Sequence, residues 1–174
     1  MMLVLYLVVA WVILLFGFVI FFGAPYLPTL KPQKQAALEL LGLEKGQTLL
    51  ELGSGDGTML LAAAEQGLRV IGYELNPLLV LVSYIRTYKY RSHVKIIWGN
   101  YWSHVWPRAD GIYVFLLDRY MKKLDKKIIQ NYPEQQVKLA SFTFKVPGKE
   151  ATKDKKGVYL YIYDNTNTPK EQLA

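Results

Sequence analysis

Apolar and polar positions along this chain follow two periods, and the order in which those periods succeed each other predicts the architecture. Residues Leu3 to Phe22 show neither period: they contain no charge, no amide and no proline. Gly23 to Pro32, with three prolines and one glycine, reads as an extended linker. Gln33 to Leu41 then has apolar positions at Ala36, Ala37, Leu40 and Leu41, which is a helical stripe. Beyond it strand and helix patterns alternate. Thr48 to Leu52 is an apolar strand ending at glycines, and Thr58 to Gln66 is a helix closed by Gly67. Arg69 to Tyr73 is a strand and Pro77 to Tyr90 a helix, with Pro77 suited to its first turn. Val94 to Trp98 and Gly111 to Leu117 are strands, the latter nearly unbroken in apolar character, and Tyr120 to Ile129 is a charged amphipathic helix. Lys138 to Val146 and Val158 to Tyr163 are the last two strands, joined by a polar loop containing Lys149 to Gly157. The alternation predicts an α/β fold: a mostly parallel sheet with helices on both faces. No helix pattern separates the last two strands, so the final one is expected to run antiparallel.

The uninterrupted apolar segment changes the picture from a simple domain to an attached one. As a helix its residues would span about 30 Å, the thickness of a bilayer core. A cleaved signal peptide would carry a basic start, and only Met1 and Met2 precede Leu3. A core helix apolar on every face would need a larger protein around it. The expected organisation is a transmembrane anchor over residues 1–23, a linker over 24–32 and one domain over 33–174. Lys31 and Lys34 follow the anchor and no basic residue precedes it, which places the domain on the cytoplasmic side or its organellar equivalent, the matrix. The expected location is therefore a single-pass membrane protein that meets the bilayer through residues 3–22. The formal net charge of +7 belongs to the domain, densest at Arg119 to Lys127 and Lys149 to Lys156. These stretches suit a solvated surface, or attraction to anionic headgroups or an acidic partner. No nucleic-acid recognition motif stands behind the charge, and nucleic acid is not an expected partner. The chain has no cysteine, which excludes disulfides and thiolate metal sites, and no metal is expected.

The candidate chemistry lies in Glu51-Leu52-Gly53-Ser54-Gly55-Asp56-Gly57-Thr58, the turn after the first strand of the domain. Parallel sheets of this kind bind ligands outside the C-terminal ends of their strands. Glycines at alternate positions let the backbone turn sharply and approach a ligand closely. The helix-terminal amides behind the turn stay available to polar ligand atoms. A dinucleotide site of the form G-x-G-x-x-G would need glycine where Thr58 stands. Glu51 also disfavours a phosphate but suits the sulfonium and amino group of S-adenosylmethionine. The second strand of the domain ends in Tyr73-Glu74-Leu75-Asn76-Pro77, so a carboxylate stands where it can accept hydrogen bonds from both ribose hydroxyls. The third ends near Asn100, whose amide can meet an adenine edge or serve as a turn residue.

These motifs resemble class I methyltransferases. Together with Ala24-Pro25-Tyr26-Leu27-Pro28-Thr29 and the apolar N-terminus, they resemble the small membrane-anchored protein-lysine methyltransferases that modify the c-ring protein of the ATP synthase and the adenine nucleotide translocase, and their prokaryotic relatives. The likeness extends over Leu116-Leu117 and Tyr120-Met121-Lys122-Lys123-Leu124. It implies a Rossmann-like fold with S-adenosyl-L-methionine held by Glu51, Gly53, Ser54, Gly55, Asp56, Gly57, Thr58, Glu74, Leu75, Asn76 and Asn100. It further implies that Tyr26 and Thr29 fold over the cofactor.

The expected reaction is methylation of a lysine on a protein in or near the membrane. A lipid, quinone or other small membrane-soluble substrate is the alternative that an anchor explains equally well. Methyl transfer asks the protein to position a nucleophile and exclude water. Asp118 is placed to steer an ammonium or to cap a helix. Tyr101 and Trp102 are placed to wall the amine or to pack. Phe115-Leu116-Leu117-Asp118 lacks the Pro-Pro-aromatic sequence of enzymes that methylate bases, and His93 and His104 read as surface or packing residues.

Overall fold

The computed structural model describes residues 2–7, 9–11, 13, 31–164 and 166. The expected anchor and linker lie largely outside these residues, as do Tyr26 and Thr29. Residues 2–7, 9–11 and 13 are helical and exposed. Among the described residues no helix is long and apolar enough to cross a membrane.

The domain is a seven-stranded sheet interleaved with helices. In chain order the elements are α1 (Lys31–Leu41), β1 (Thr48–Leu52), α2 (Thr58–Glu65), β2 (Arg69–Glu74) and α3 (Pro77–Thr87). Then come β3 (Val94–Trp98), β4 (Gly111–Val114), α4 (Asp118–Asn131), β5 (Gln136–Phe142), β6 (Lys153–Lys155) and β7 (Val158–Asp164). The strand order is β3-β2-β1-β4-β5-β7-β6. Pairings from β3 through β5 are parallel, while β7 runs antiparallel to both β5 and β6. The expected mostly parallel sheet with an antiparallel final strand is what forms.

Side chains alternate across the sheet and build a core on each face. On one, Leu49, Val70, Ile96, Tyr113 and Ala140 meet α1, α2 and α3 through Ala37, Leu41, Leu60, Ala63 and Val80. On the other, Leu50, Leu52, Ile112, Val114 and Leu139 meet α4 through Met121, Leu124 and Ile128. Gly72 lets the first face close tightly: a Cβ there would stand 2.9 Å from Leu60 and from Ser54.

Several boundaries differ from the sequence expectation. Helix α1 takes in Lys31 and Pro32, because proline costs nothing in a first turn where its missing N–H has no partner anyway. β4 stops at Val114 rather than Leu117: Val114 pairs with Leu52, and β1 ends there as the chain turns at Gly53. α4 begins at Asp118, two residues early, since a carboxylate is favoured near the positive end of a helix. β5 covers Gln136 to Phe142 rather than Lys138 to Val146. The polar loop hides β6, whose three residues are all exposed and so carry no apolar alternation. Its two lysines suit a sheet edge, where charge discourages pairing with other chains.

Candidate active site

In this strand order the chain progresses from β1 towards β3 on one side and from β4 outward on the other. The crevice at that reversal lies above the C-terminal ends of β1 and β4. The turn leaving β1 borders it. Ser54 N–H and Gly53 N–H both donate to the Tyr73 carbonyl, at 2.8 and 2.9 Å, which fastens the turn to the end of β2. Gly53, Gly55 and Gly57 have φ of 88°, 56° and 76°, the left-handed region that glycine enters without penalty. The two outer glycines serve different ends. Gly53 is exposed, and a Cβ there would meet nothing within 4 Å, so a ligand can approach its backbone. Gly57 is buried, and a Cβ there would stand 2.8 Å from Ser83 Oγ, so it lets α3 close against the turn.

Glu51 sits beneath this turn, 5% exposed, and its Oε2 has no hydrogen-bond partner. Burial, then the neighbouring carboxylates of Glu74 and Asp56, push its carboxyl well above the usual carboxylate range. A cation entering here would reverse that balance. Ser54 Oγ and Asn76 Nδ2 are likewise buried without a partner. Native interiors seldom leave such atoms unpaired, so three at the ends of β1 and β2 mark a place built for a polar ligand. This donor and acceptor set fits the sulfonium and amino-acid end of S-adenosylmethionine, which offers positive charge to Glu51 and a carboxylate to N–H groups.

Glu74 occupies the end of β2, as the sequence indicates, and it also braces the site. Its Oε2 accepts from Gly55 N–H at 2.7 Å and its Oε1 from Asn76 N–H at 2.8 Å. Burial raises its pKa, and these backbone bonds work against the rise. Each carboxylate oxygen keeps a second lone pair for a ribose hydroxyl. Asn76 is the N-cap of α3: its Oδ1 accepts from Leu78 N–H at 2.9 Å. Asn100 has a capping bond too, with Oδ1 accepting from Trp102 N–H at 3.0 Å. Leu75 is half-buried and gives its carbonyl to Trp98 Nε1 at 3.0 Å. Asp56 accepts from Thr58 N–H and pairs with Arg86 on α3 at 2.9 Å.

The aromatic residues gather where β3 leads towards β4. The Tyr101 and Trp102 rings lie 4.8 Å apart, and Tyr120 of α4 stands 6.2 Å from Trp102. Lys123 Nζ sits 4.4 Å over the Trp102 ring, so this cluster holds an ammonium of the chain's own. Tyr101 is strongly disposed to keep its proton, chiefly through burial. Asp118 is exposed in the first turn of α4 with no side-chain capping bond, because Leu117 holds the cap position. The structure brings Tyr101, Trp102 and Tyr120 together and leaves Asp118 exposed at the start of α4.

Two contributors carry no sequence signal. Ser83, fully buried on α3, donates from Oγ to the Gly55 carbonyl at 2.8 Å. A serine inside an apolar helix looks like any interior position until the fold places a turn opposite it. His104 lies against Tyr73 with ring centroids 5.5 Å apart, and its Nδ1 is 2.8 Å from the Asn100 carbonyl. A carbonyl only accepts, so that nitrogen carries the proton.

Residues 51–153 match the model of a family described as the ANTKMT methyltransferase domain. The Xenopus laevis lysine N-methyltransferase of the ATP synthase c-ring protein is 32% identical over 106 residues, 60% of this chain and 46% of that protein. The adenine nucleotide translocase lysine N-methyltransferase of Mus musculus is 30% identical over 112 residues, 63% of this chain and 48% of that protein. The match thus spans about half the length of these curated relatives. Among solved structures, an RNA methyltransferase from Salinibacter ruber in complex with S-adenosyl-L-homocysteine superposes with a TM-score of 0.72 at 25% identity. That likeness covers 85% of this chain and 99% of the other.

Proposed function

From the premise that this chain belongs to the ANTKMT methyltransferase domain family, we propose that it methylates a lysine of a membrane or membrane-proximal protein, using S-adenosyl-L-methionine. The observation that carries the cofactor assignment is Glu51, a buried carboxyl whose Oε2 has no partner, beneath a glycine turn. S-adenosyl-L-methionine supplies an activated methyl group. The chain's own residues do the rest. Glu51 sets the charge that favours a cation, and Glu74 holds the turn while offering acceptors for a ribose. Exposed Gly53 opens the approach, and Ser54 and Asn76 present unspent polar atoms. We also assign Tyr26 and Thr29, outside the described residues, to the cover of this pocket.

Lysine is supported by the two relatives above, each named a lysine N-methyltransferase. A lysine amine must lose a proton before attack, which from a reference pKa near 10.4 costs roughly 4–5 kcal/mol at neutral pH. The Tyr101, Trp102 and Tyr120 cluster lowers that cost by desolvating an amine that enters beside it. Membrane attachment through residues 3–22, with the domain on the cytoplasmic or matrix side, rests on the apolar run and the basic residues after it.

Incubating the chain with methyl-labelled cofactor and a membrane extract tests the reading. Label in a protein band is expected. Label confined to the lipid fraction would transfer the assignment to a small membrane-soluble substrate.

A further inference from the structure

Helix α3 is partly polar on its buried side and largely apolar on its exposed one. Its buried face includes the hydroxyls of Ser83 and Thr87, which turn to backbone carbonyls of Gly55 and Ser83. Its outer face carries Leu81, Tyr84 and Ile85, followed by Tyr88, at helical spacing on one stripe. Ile85 is 70% and Tyr88 65% exposed. Exposed apolar residues scattered singly need no explanation, but a continuous stripe marks an interaction surface. The neighbouring edge strand extends it. Tyr84 donates its hydroxyl hydrogen to the Ile96 carbonyl at 3.0 Å, and Trp98 stands 67% exposed at the end of β3.

The chain segment that carries the stripe is basic, although Arg86 within it is paired with Asp56 of the β1 turn. Residues 75–109 contain Arg86, Lys89, Arg91, Lys95 and Arg108 and not one Asp or Glu, although the chain has 14 acidic residues elsewhere. Lys89 and Arg91, just beyond the stripe, are exposed, and the Arg91 guanidinium lies 4.7 Å over the Tyr88 ring. An aliphatic stripe with tyrosine and tryptophan at its margin and basic residues beyond is the composition of a surface that lies in a lipid headgroup layer. An acidic protein partner would account for the charge but not for Ile85 and Leu81 at the centre of the patch.

We propose that the outer face of α3, with Trp98 and the basic residues Lys89 and Arg91, docks flat on the surface of an anionic bilayer. The tyrosine and tryptophan rings then sit at headgroup depth, and the two cations meet lipid phosphates. The Trp98 bond to the Leu75 carbonyl places this surface beside the candidate cofactor site. Docking therefore holds the mouth of that site at the membrane.

The chain has no cysteine, so Ile85→Cys gives a single labelling position, and Lys126→Cys, exposed on α4 on the opposite sheet face, gives its control. Because residues 3–22 are themselves read as an anchor, the readout is depth at residue 85 rather than vesicle binding. The full chain, labelled with an environment-sensitive fluorophore, is placed in phosphatidylcholine vesicles with and without phosphatidylglycerol. Both sets carry a quencher attached near the lipid headgroup. Quenching at 85 but not at 126, increased by phosphatidylglycerol, is expected. Replacing Lys89 and Arg91 together with alanine should lower the docked-to-undocked ratio about 30-fold, at about fivefold per cation. Equal quenching at both positions, or quenching at 85 indifferent to anionic lipid, overturns the proposal. Self-quenching between copies in lipid-free detergent would make a second copy the occupant and overturn it too. Tyr88→Cys repeats the measurement if Ile85→Cys does not fold. Depth does not depend on turnover, so failure here leaves the methyl-transfer assignment standing, and the reverse.

Discussion

Glu51 shows how a single residue can be unfavourable for the fold and necessary for the site. A carboxyl raised by burial binds its proton more tightly folded than unfolded. Its stabilising contribution is present at low pH and is lost as pH rises from the ordinary carboxylate range through its raised value. Glu51→Gln, neutral throughout, should remove that loss, so the ligand-free variant should unfold at an equal or higher temperature than the parent at neutral pH. The same change should weaken S-adenosylmethionine binding about 10- to 100-fold, the range for a hydrogen bond to a charged group. It should also abolish the rise in affinity with pH that ionisation of Glu51 gives the parent. Thermal unfolding and titration calorimetry across pH check both halves, and unchanged affinity would remove Glu51 from the cofactor site. The sequence made this residue legible because an acid inside a glycine turn argues against phosphate. It did not reveal that Glu74, at the next strand end, gives both its oxygens to backbone amides of the turn and of α3. A side chain's own partners depend on which loop folds over it.

At the scale of elements, the strands and helices were legible where their apolar pattern is strong. β1, β2 and β3 lie where the alternation placed them, to within one residue. β6 escaped because Lys153 to Lys155 offer only exposed charge. The orientation of α3 was the least legible feature, since a helix with apolar residues all round gives no sign of which side faces inward. Its inward face is fixed by Ser83, which fills the space that Gly57 leaves and bonds the Gly55 carbonyl. Ser83→Ala leaves that buried carbonyl without its partner and should cost about 1–3 kcal/mol. For a chain of this length that is a fall of roughly 2–12 °C in Tm. Cofactor affinity should fall with it, because the turn loses its tie to the helix. A melting temperature and affinity both equal to the parent's would show that α3 does not position the turn.

For the whole molecule, the two cores leave the C-terminal strand ends open at one end of the sheet, and the site residues collect there from four strands and their loops. The basic stretch Arg119 to Lys127 puts exposed cations such as Lys122 and Lys126 on α4, and Lys153 to Lys155 form an exposed edge strand. That is a solvated distribution in the main, with Lys123 and Lys127 drawn instead over Trp102 and Trp106. The sequence located the charge but could not separate these roles, since cation–ring pairs across α4 and the β3–β4 connection depend on tertiary packing. The central claim is methyl transfer from S-adenosylmethionine to a protein lysine, and mass spectrometry of membrane proteins tests it most directly. Membranes from cells lacking this chain, supplied with the cofactor and the full chain, should gain a methylated lysine on one or a few proteins, and the chain carrying Glu74→Ala should not add it. Membranes whose protein lysines are unchanged by the active chain, while a lipid or quinone gains the methyl group, would contradict the account.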